Sequence, residues 1–186
     1  MEITVRIEGR TPLLVNRFLG EGVPETEQPA YHTKNGKTAR EEAEQRLHKD
    51  KSGNPALTSD AALRTLINGG RFMKKGTTKI TTTKGSLLYG ILRIPTLYIP
   101  IEHERWEVDI RSVVIPKTGG RIMRIRPRFD EWALTFQLDF DGEIVTLNEL
   151  REIVNHASRK IGLGDFRPDR KGPFGVFDVT RWVVEK

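Results

Sequence analysis

The sequence predicts an α+β fold in which helices cover one face of an antiparallel sheet. Apolar and polar side chains alternate in segments near both ends of the chain, which is the period of a half-buried strand. Two capping-box motifs each precede apolar residues at helical spacing. The order strand, helix, strand recurs in each half of the chain, which favours two such units sharing one sheet.

The first half of the chain supplies the first of these units. Residues 2–8, EITVRIE, predict the first strand, because their apolar side chains fall on one face. TARE at 38–41 is a capping box that predicts a helix to about Lys49. TSDAALRTLINGG at 58–70 predicts a second, short helix. Residues 92–102 are extended again, and their two prolines predict an edge strand or a broken strand.

The second half supplies the other unit. Residues 108–129 predict a hairpin, and EWALTFQLDF at 131–140 predicts a strand with five large apolar side chains on one face. TLNE at 146–149 opens an amphipathic helix, and residues 174–185 predict the last strand. Two split β-α-β units make a ferredoxin-like sandwich, the arrangement of RNA-recognition motifs. We therefore expect one open sheet face to carry the hairpin and to remain available for a ligand.

Length and composition predict a single domain, residues 1–186, with flexible insertions at 20–35 and 71–85. The sequence has no cysteine, which excludes disulfides, thiolate zinc sites and cysteine nucleophiles. No apolar run approaches the roughly 20 residues of a membrane span. The chain starts with a strand pattern rather than a signal peptide. We therefore expect a cytoplasmic protein with no membrane partner.

The positive charge is concentrated in the middle of the chain. Residues 61–128 carry 14 basic and 4 acidic side chains, whereas residues 1–60 carry 9 and 10, and residues 129–186 carry 8 and 11. Such segregation creates a positive field on part of the surface, and its commonest partners are nucleic-acid phosphates or an anionic membrane. The alternative is a solvated face that aids solubility.

The segment RIMRIRPRF at 121–129 is the first candidate binding element. Its period of two places Arg124, Arg126 and Arg128 on one face, with roughly 7 Å between neighbours, which is close to the spacing of phosphates on a single strand. The alternative is a set of cross-strand salt bridges to Asp109 or Asp139.

The segment IGLGDFRPDRKGPFGVF at 161–177 is the second candidate. Glycines let the backbone approach a phosphate closely while arginine and lysine side chains gather round it. The glycines are equally typical of turn chemistry alone. The residues predicted to bind nucleic acid are Lys74, Lys75, Lys79, Arg111, Lys117, Arg121, Arg124, Arg126, Arg128, Gly162, Gly164, Arg167, Arg170 and Lys171.

Several motifs resemble known families. TPLLVNRF after the first strand, RIMRIRPRF before EWALTFQLDFD, and IGLGDFRP with GPFGVF resemble a group of uncharacterised tailed-phage and prophage proteins. The closing loop is also similar to the glycine-rich loop of the RAMP superfamily, the ferredoxin-like RNA-binding proteins of CRISPR systems. The resemblance implies a RAMP-like fold, RNA binding, and a location in the host cytoplasm if a phage encodes the protein.

Three functions follow from these observations. The first is a non-catalytic protein that binds single-stranded RNA or DNA, alone or as a protomer of a homo-oligomeric or ribonucleoprotein assembly. The second is a RAMP-like, metal-independent endoribonuclease, for which Tyr31, His32 and Lys34 offer the acid, base and cation that cleavage requires. The third is a phage structural or host-protein-binding factor. We expect no cofactor and no metal, since no histidine has the spacing of a zinc ligand.

Overall fold

The computed structural model describes residues 1–18, 38–114 and 119–185. Within these ranges the protein is α+β, with antiparallel sheets and three α-helices. In the described ranges, no α-helix has both the length and the hydropathy that a membrane span requires. The helices are α1 (Ala39–Gln45), α2 (Ser59–Gly69) and α3 (Leu147–His156). The strands are β1 (Glu2–Gly9), β2 (Leu13–Leu14), β3 (His48–Lys49), β4 (Pro55–Thr58), β5 (Lys74–Lys75), β6 (Thr78–Lys79), β7 (Leu92–Arg93), β8 (Tyr98–Pro100), β9 (Glu107–Val114), β10 (Arg121–Phe129), β11 (Ala133–Phe140) and β12 (Phe177–Val184).

The largest sheet has four strands in the order β12-β1-β11-β7, and every neighbouring pair is antiparallel. The predicted inward face of β1 is confirmed, because Ile3, Val5 and Ile7 are buried. The five large apolar side chains predicted to share one face of residues 131–140 are buried as well: Trp132, Leu134, Phe136, Leu138 and Phe140. They join side chains of α2 and α3 in one core cluster, so these helices and the sheet enclose a common core.

Both capping boxes are confirmed. At the start of α3, Thr146 Oγ1 accepts a hydrogen bond from the Glu149 N–H, and Glu149 Oε2 accepts one from the Thr146 N–H at 2.7 Å. Thr38 and Glu41 form the same pair of bonds at the start of α1. The α3 helix continues into a π-helical turn over Ala157–Ile161, which ends at a glycine with positive φ.

The hairpin of β9 and β10 belongs to a different sheet from the one predicted. It pairs with β2 in a separate three-stranded sheet, in the order β2-β10-β9. The outward face of the four-stranded sheet instead carries Arg6, which is ion-paired with Glu8 and Glu102. The expectation that the arginines lie on that open face is therefore wrong.

The structure bears on two smaller predictions. The first helix ends at Gln45, earlier than predicted, because His48–Lys49 is a strand. The segment over 92–102 is broken, as its prolines predict, into β7 and β8, which lie at the edges of different sheets. In 71–85 the chain forms β5 and β6, and Ile80 is buried in the core. The other predicted insertion, 20–35, lies outside the described residues.

Replacing Thr146 with alanine tests the capping box of α3. We expect Thr146→Ala to lower the free energy of unfolding by about 1 kcal/mol, because the first turn loses a side-chain acceptor for a backbone N–H. Asn148→Ala, an exposed change two residues further on, is the matched control and should change stability by less than about 0.5 kcal/mol. Urea denaturation measures both, and equal losses would contradict the capping role.

Candidate nucleic-acid interface

The two segments singled out in the sequence meet in one groove. It lies between the hairpin of β9 and β10 and the loop over 162–175, which we call the glycine-rich loop. The cavity has a volume of about 720 Å³. Five arginines and one acid are among the described residues that line it: Arg111, Arg124, Arg126, Arg167, Arg170 and Asp165. We call this cavity the basic groove.

Arg126 joins the two walls of the basic groove. Its side chain is only 2% exposed. Arg126 Nη2 lies 3.3 Å from Asp109 Oδ1 on β9, the residue directly opposite in the hairpin. Arg126 Nη1 lies 2.9 Å from Asp165 Oδ2 in the glycine-rich loop. One buried guanidinium therefore bonds to both the hairpin and the loop.

The expected row of three exposed arginines is thus broken at its centre. Arg124, Arg126 and Arg128 do share a face of β10, but the middle one is buried and bonded to two acids. The alternative from the sequence, a cross-strand salt bridge to Asp109, is confirmed for Arg126. Arg128 is engaged too, because it makes two hydrogen bonds to Asp130, at 2.7 and 3.1 Å.

Arg111 completes the network behind the groove. Its Nε donates to Asp109 Oδ2 at 2.6 Å, so that Asp109 is shared between two arginines. The guanidinium of Arg111 also lies over the ring of Phe174, 4.6 Å from the centroid, which is a cation–π distance. Because Phe174 closes the glycine-rich loop, this interaction ties the loop to the hairpin a second time.

Glycines shape the loop because its backbone packs against other backbone. Gly164 has φ +72°, and a Cβ there would lie 2.3 Å from the carbonyl oxygen of Leu14. Gly175 has φ +71°, and a Cβ would lie 1.9 Å from the carbonyl oxygen of Leu163. A buried Gly162 caps the helix that precedes the loop. This geometry supports turn chemistry, the alternative left open by the sequence, as the reason for Gly162 and Gly164.

The remaining two arginines of the groove come from the loop itself. Arg167 donates from Nη1 to the carbonyl oxygen of Gly164 at 2.8 Å, and its buried Nε has no hydrogen-bond partner among the described residues. Burial lowers the pKa of Arg167, while the neighbouring Asp169 opposes that shift. Arg170 is exposed, and neither Arg170 nor Arg124 forms an ion pair with any described residue.

Arg124 faces another cation across the hairpin. It is paired in register with Arg111, and like charges directly opposite each other on antiparallel strands are destabilising. Because Arg111 is already bonded to Asp109, Arg124 is the member of this pair that has no acid among the described residues.

Other predicted residues lie elsewhere. Lys74, Lys75 and Lys79 are exposed on β5 and β6, away from the groove lining, and Lys75 pairs with Glu149 at 3.1 Å. Arg121 is exposed at the start of β10, and Lys171 is exposed in the glycine-rich loop. Four predicted residues lie outside the described residues: Tyr31, His32, Lys34 and Lys117.

In the described ranges, no cluster of three or more His, Asp or Glu side chains could hold a metal ion.

Sequence reasoning missed Asp165 and Phe174 as partners of the arginines, and it named Asp109 only in the alternative interpretation. Asp165 and Phe174 gave no periodic signal, because their partners are distant in the chain. Asp109 could be found from the hairpin register, since it lies directly opposite Arg126.

Comparison with known proteins finds no protein-family model that matches the chain and no curated protein that matches it.

Replacing Arg126 tests whether the buried network holds the groove together. We expect Arg126→Met to lower the free energy of unfolding by about 3 kcal/mol, because Asp109 stays buried with one partner fewer. Arg128→Met is the matched control, on the same strand and face, and should cost less than about 1 kcal/mol because its ion pair is partly exposed. Urea denaturation of both variants makes the comparison, and similar losses would show that the network is not a stabilising link.

Proposed function

We propose that this protein binds single-stranded nucleic acid, RNA or DNA, in the basic groove and does so without catalysis. The observation that carries the proposal is the convergence of five arginines on one cavity from two segments far apart in the chain. Positive side chains that converge in a concave site concentrate the field and favour a polyanion. Cytoplasmic single-stranded RNA or DNA is such a partner.

The chemistry of the individual arginines supports phosphate as the ligand. A guanidinium offers a planar fork of donors that matches two phosphate oxygens. Arg124 and Arg170 have no described acid to satisfy that fork, whereas Arg126 and Arg128 do. We therefore assign phosphate binding to Arg124 and Arg170, with Arg111 beside them, and a positioning role to Arg126.

The groove suits a single strand because its cations lie inside a cavity rather than on a projecting surface. A flexible strand can bend its phosphates into a concave site, while its unpaired bases turn toward the walls. The described aromatic ring at the loop end of the cavity, Phe166, is 36% exposed and offers an apolar surface there.

We also infer a ferredoxin-like topology for the four-stranded sheet and its helices. The four strands of this sheet follow one another along the chain as β1, β7, β11 and β12. Within the sheet their order is β12-β1-β11-β7, so that the fourth strand lies beside the first, the first beside the third, and the third beside the second. The α2 helix lies in the chain between the first and second strands, and α3 between the third and fourth. This order supports two interleaved split β-α-β units, with the hairpin of β9 and β10 inserted between the second and third strands.

Neutralising Arg124 and Arg170 together tests the proposal. We expect the double variant Arg124→Gln/Arg170→Gln to bind single-stranded oligonucleotides at least tenfold more weakly at low salt. The slope of log affinity against log salt should fall by about 0.7 for each phosphate that the variant no longer binds. Fluorescence anisotropy with labelled ribo- and deoxyribo-oligonucleotides at several salt concentrations measures both quantities.

The matched control is Arg151→Gln/Arg181→Gln. It removes the same charge from exposed positions on α3 and β12 that do not line the groove. Its affinity should remain within about twofold of wild type, since it keeps every arginine of the groove. If both double variants lose affinity and slope equally, binding is a property of net charge and the groove is not the site.

A further inference from the structure

A second cavity borders the glycine-rich loop. It has a volume of about 330 Å³ and lies between the start of α2, β4 and the loop. Asp165 and Arg167 line both this cavity and the basic groove, so the two spaces adjoin at these loop residues. We call it the side cavity.

The side cavity differs from the groove in charge. Five arginines and one acid line the groove, and Asp109 behind it is bonded to two of those arginines. The side cavity is lined by two acids, Asp60 and Asp165, and two arginines, Arg64 and Arg167. Arg64 is already paired with Asp60 at 3.0 Å. A balanced lining gives little attraction for a phosphate, which would lie close to two carboxylates. The side cavity therefore suits a neutral group attached to a charged backbone.

The lining also offers the two surfaces that a flat heterocycle uses. Leu57 is buried at the wall, and Ala61 lies beside it in the first turn of α2, so one side is apolar. Asn16 provides a polar edge. Its amide is held in place, because Oδ1 accepts from Arg46 at 3.2 Å and Nδ2 donates to Asp165 at 3.4 Å. An amide fixed in this way presents donors and acceptors in a constant orientation.

Arg167 connects the two spaces chemically. Its Nε is buried without a hydrogen-bond partner among the described residues, although its Nη1 is bonded within the loop. Arg46 Nε and Arg126 Nε are buried and unpaired in the same way, so it is the position of the Arg167 side chain, on the lining of both cavities, that connects the two spaces. A nucleotide that crosses the loop would bring acceptors to both sides of this side chain.

We propose that the side cavity is a nucleobase subsite, which holds one base of the strand whose phosphates lie in the basic groove. The inference rests on the proposed function, since the base arrives only as part of a bound strand. The apolar wall at Leu57 and Ala61 packs against the face of the base, and Asn16 and the acids bond to its edge. The phosphate next to that base lies on the groove side of Arg167.

The test compares oligonucleotides with and without bases. Fifteen-residue strands of adenosine nucleotides, in ribo and deoxyribo forms, and abasic strands with the same number of phosphates are titrated onto the full-length protein. We expect the base-bearing strand to bind about tenfold more tightly than the abasic one, because one enclosed base adds apolar packing and hydrogen bonds. Ala61→Leu, which fills the side cavity, should remove that preference and leave abasic binding unchanged.

Ala61→Ser is the matched control, because it changes the same position and leaves the cavity open; it should keep the preference. Equal binding of base-bearing and abasic strands by wild type, or an unchanged preference in Ala61→Leu, would overturn the subsite while leaving the groove intact. No binding of either strand at low salt would instead refute the proposed function itself.

Photo-crosslinking gives a second readout that needs no variant. Strands carrying 4-thiothymidine are irradiated with wild-type protein, and the attached peptides are identified by mass spectrometry. We expect attachment within residues 55–65 or 12–17, which contribute Leu57, Ala61 and Asn16 to the side cavity. Attachment confined to peptides of the hairpin would contradict the subsite.

Discussion

The buried guanidinium of Arg126 is the interaction on which the groove depends. It bonds to Asp109 within the hairpin and to Asp165 in the glycine-rich loop, two segments that no sheet of the described residues joins. Arg111 shares Asp109 and lies over Phe174, so two cations and two acids form one connected and balanced network. Because a buried charge left without its partner is costly, this network fixes the hairpin and the loop at one separation.

Fixing that separation has an electrostatic consequence. Arg124 and Arg170 are held on opposite walls with no described acid to neutralise them, and Arg124 faces Arg111 across the strands. The Arg126 network links the two segments that carry these cations, so both cations lie on one groove. The glycine-rich loop also lines both the basic groove and the side cavity, and we propose that these two spaces hold the phosphates and one base of a strand.

The parts of the structure that can be predicted from the sequence are those governed by local rules. Thr146 and Glu149 identify a helix start because their reciprocal hydrogen bonds join residues three apart, and β1 is readable because alternate side chains are buried. The pairing of Arg126 with Asp109 could be predicted once the hairpin register was assigned, because the two residues lie directly opposite each other. Asp165 could not be predicted as its partner, because that bond depends on how the loop packs against Leu14, and no periodicity reports such packing. For the same reason, periodicity alone places the hairpin in the wrong sheet.

The most direct measurement of the central claim is arginine footprinting on the wild-type protein. The protein is treated with an arginine-specific dicarbonyl reagent, with and without a saturating single-stranded oligonucleotide, and modification is quantified by mass spectrometry. If the basic groove holds the strand, Arg124 and Arg170 lose most of their reactivity on binding, while the exposed Arg151 and Arg181 react as before. Equal reactivity of Arg124 and Arg170 in the free and saturated protein would contradict the account.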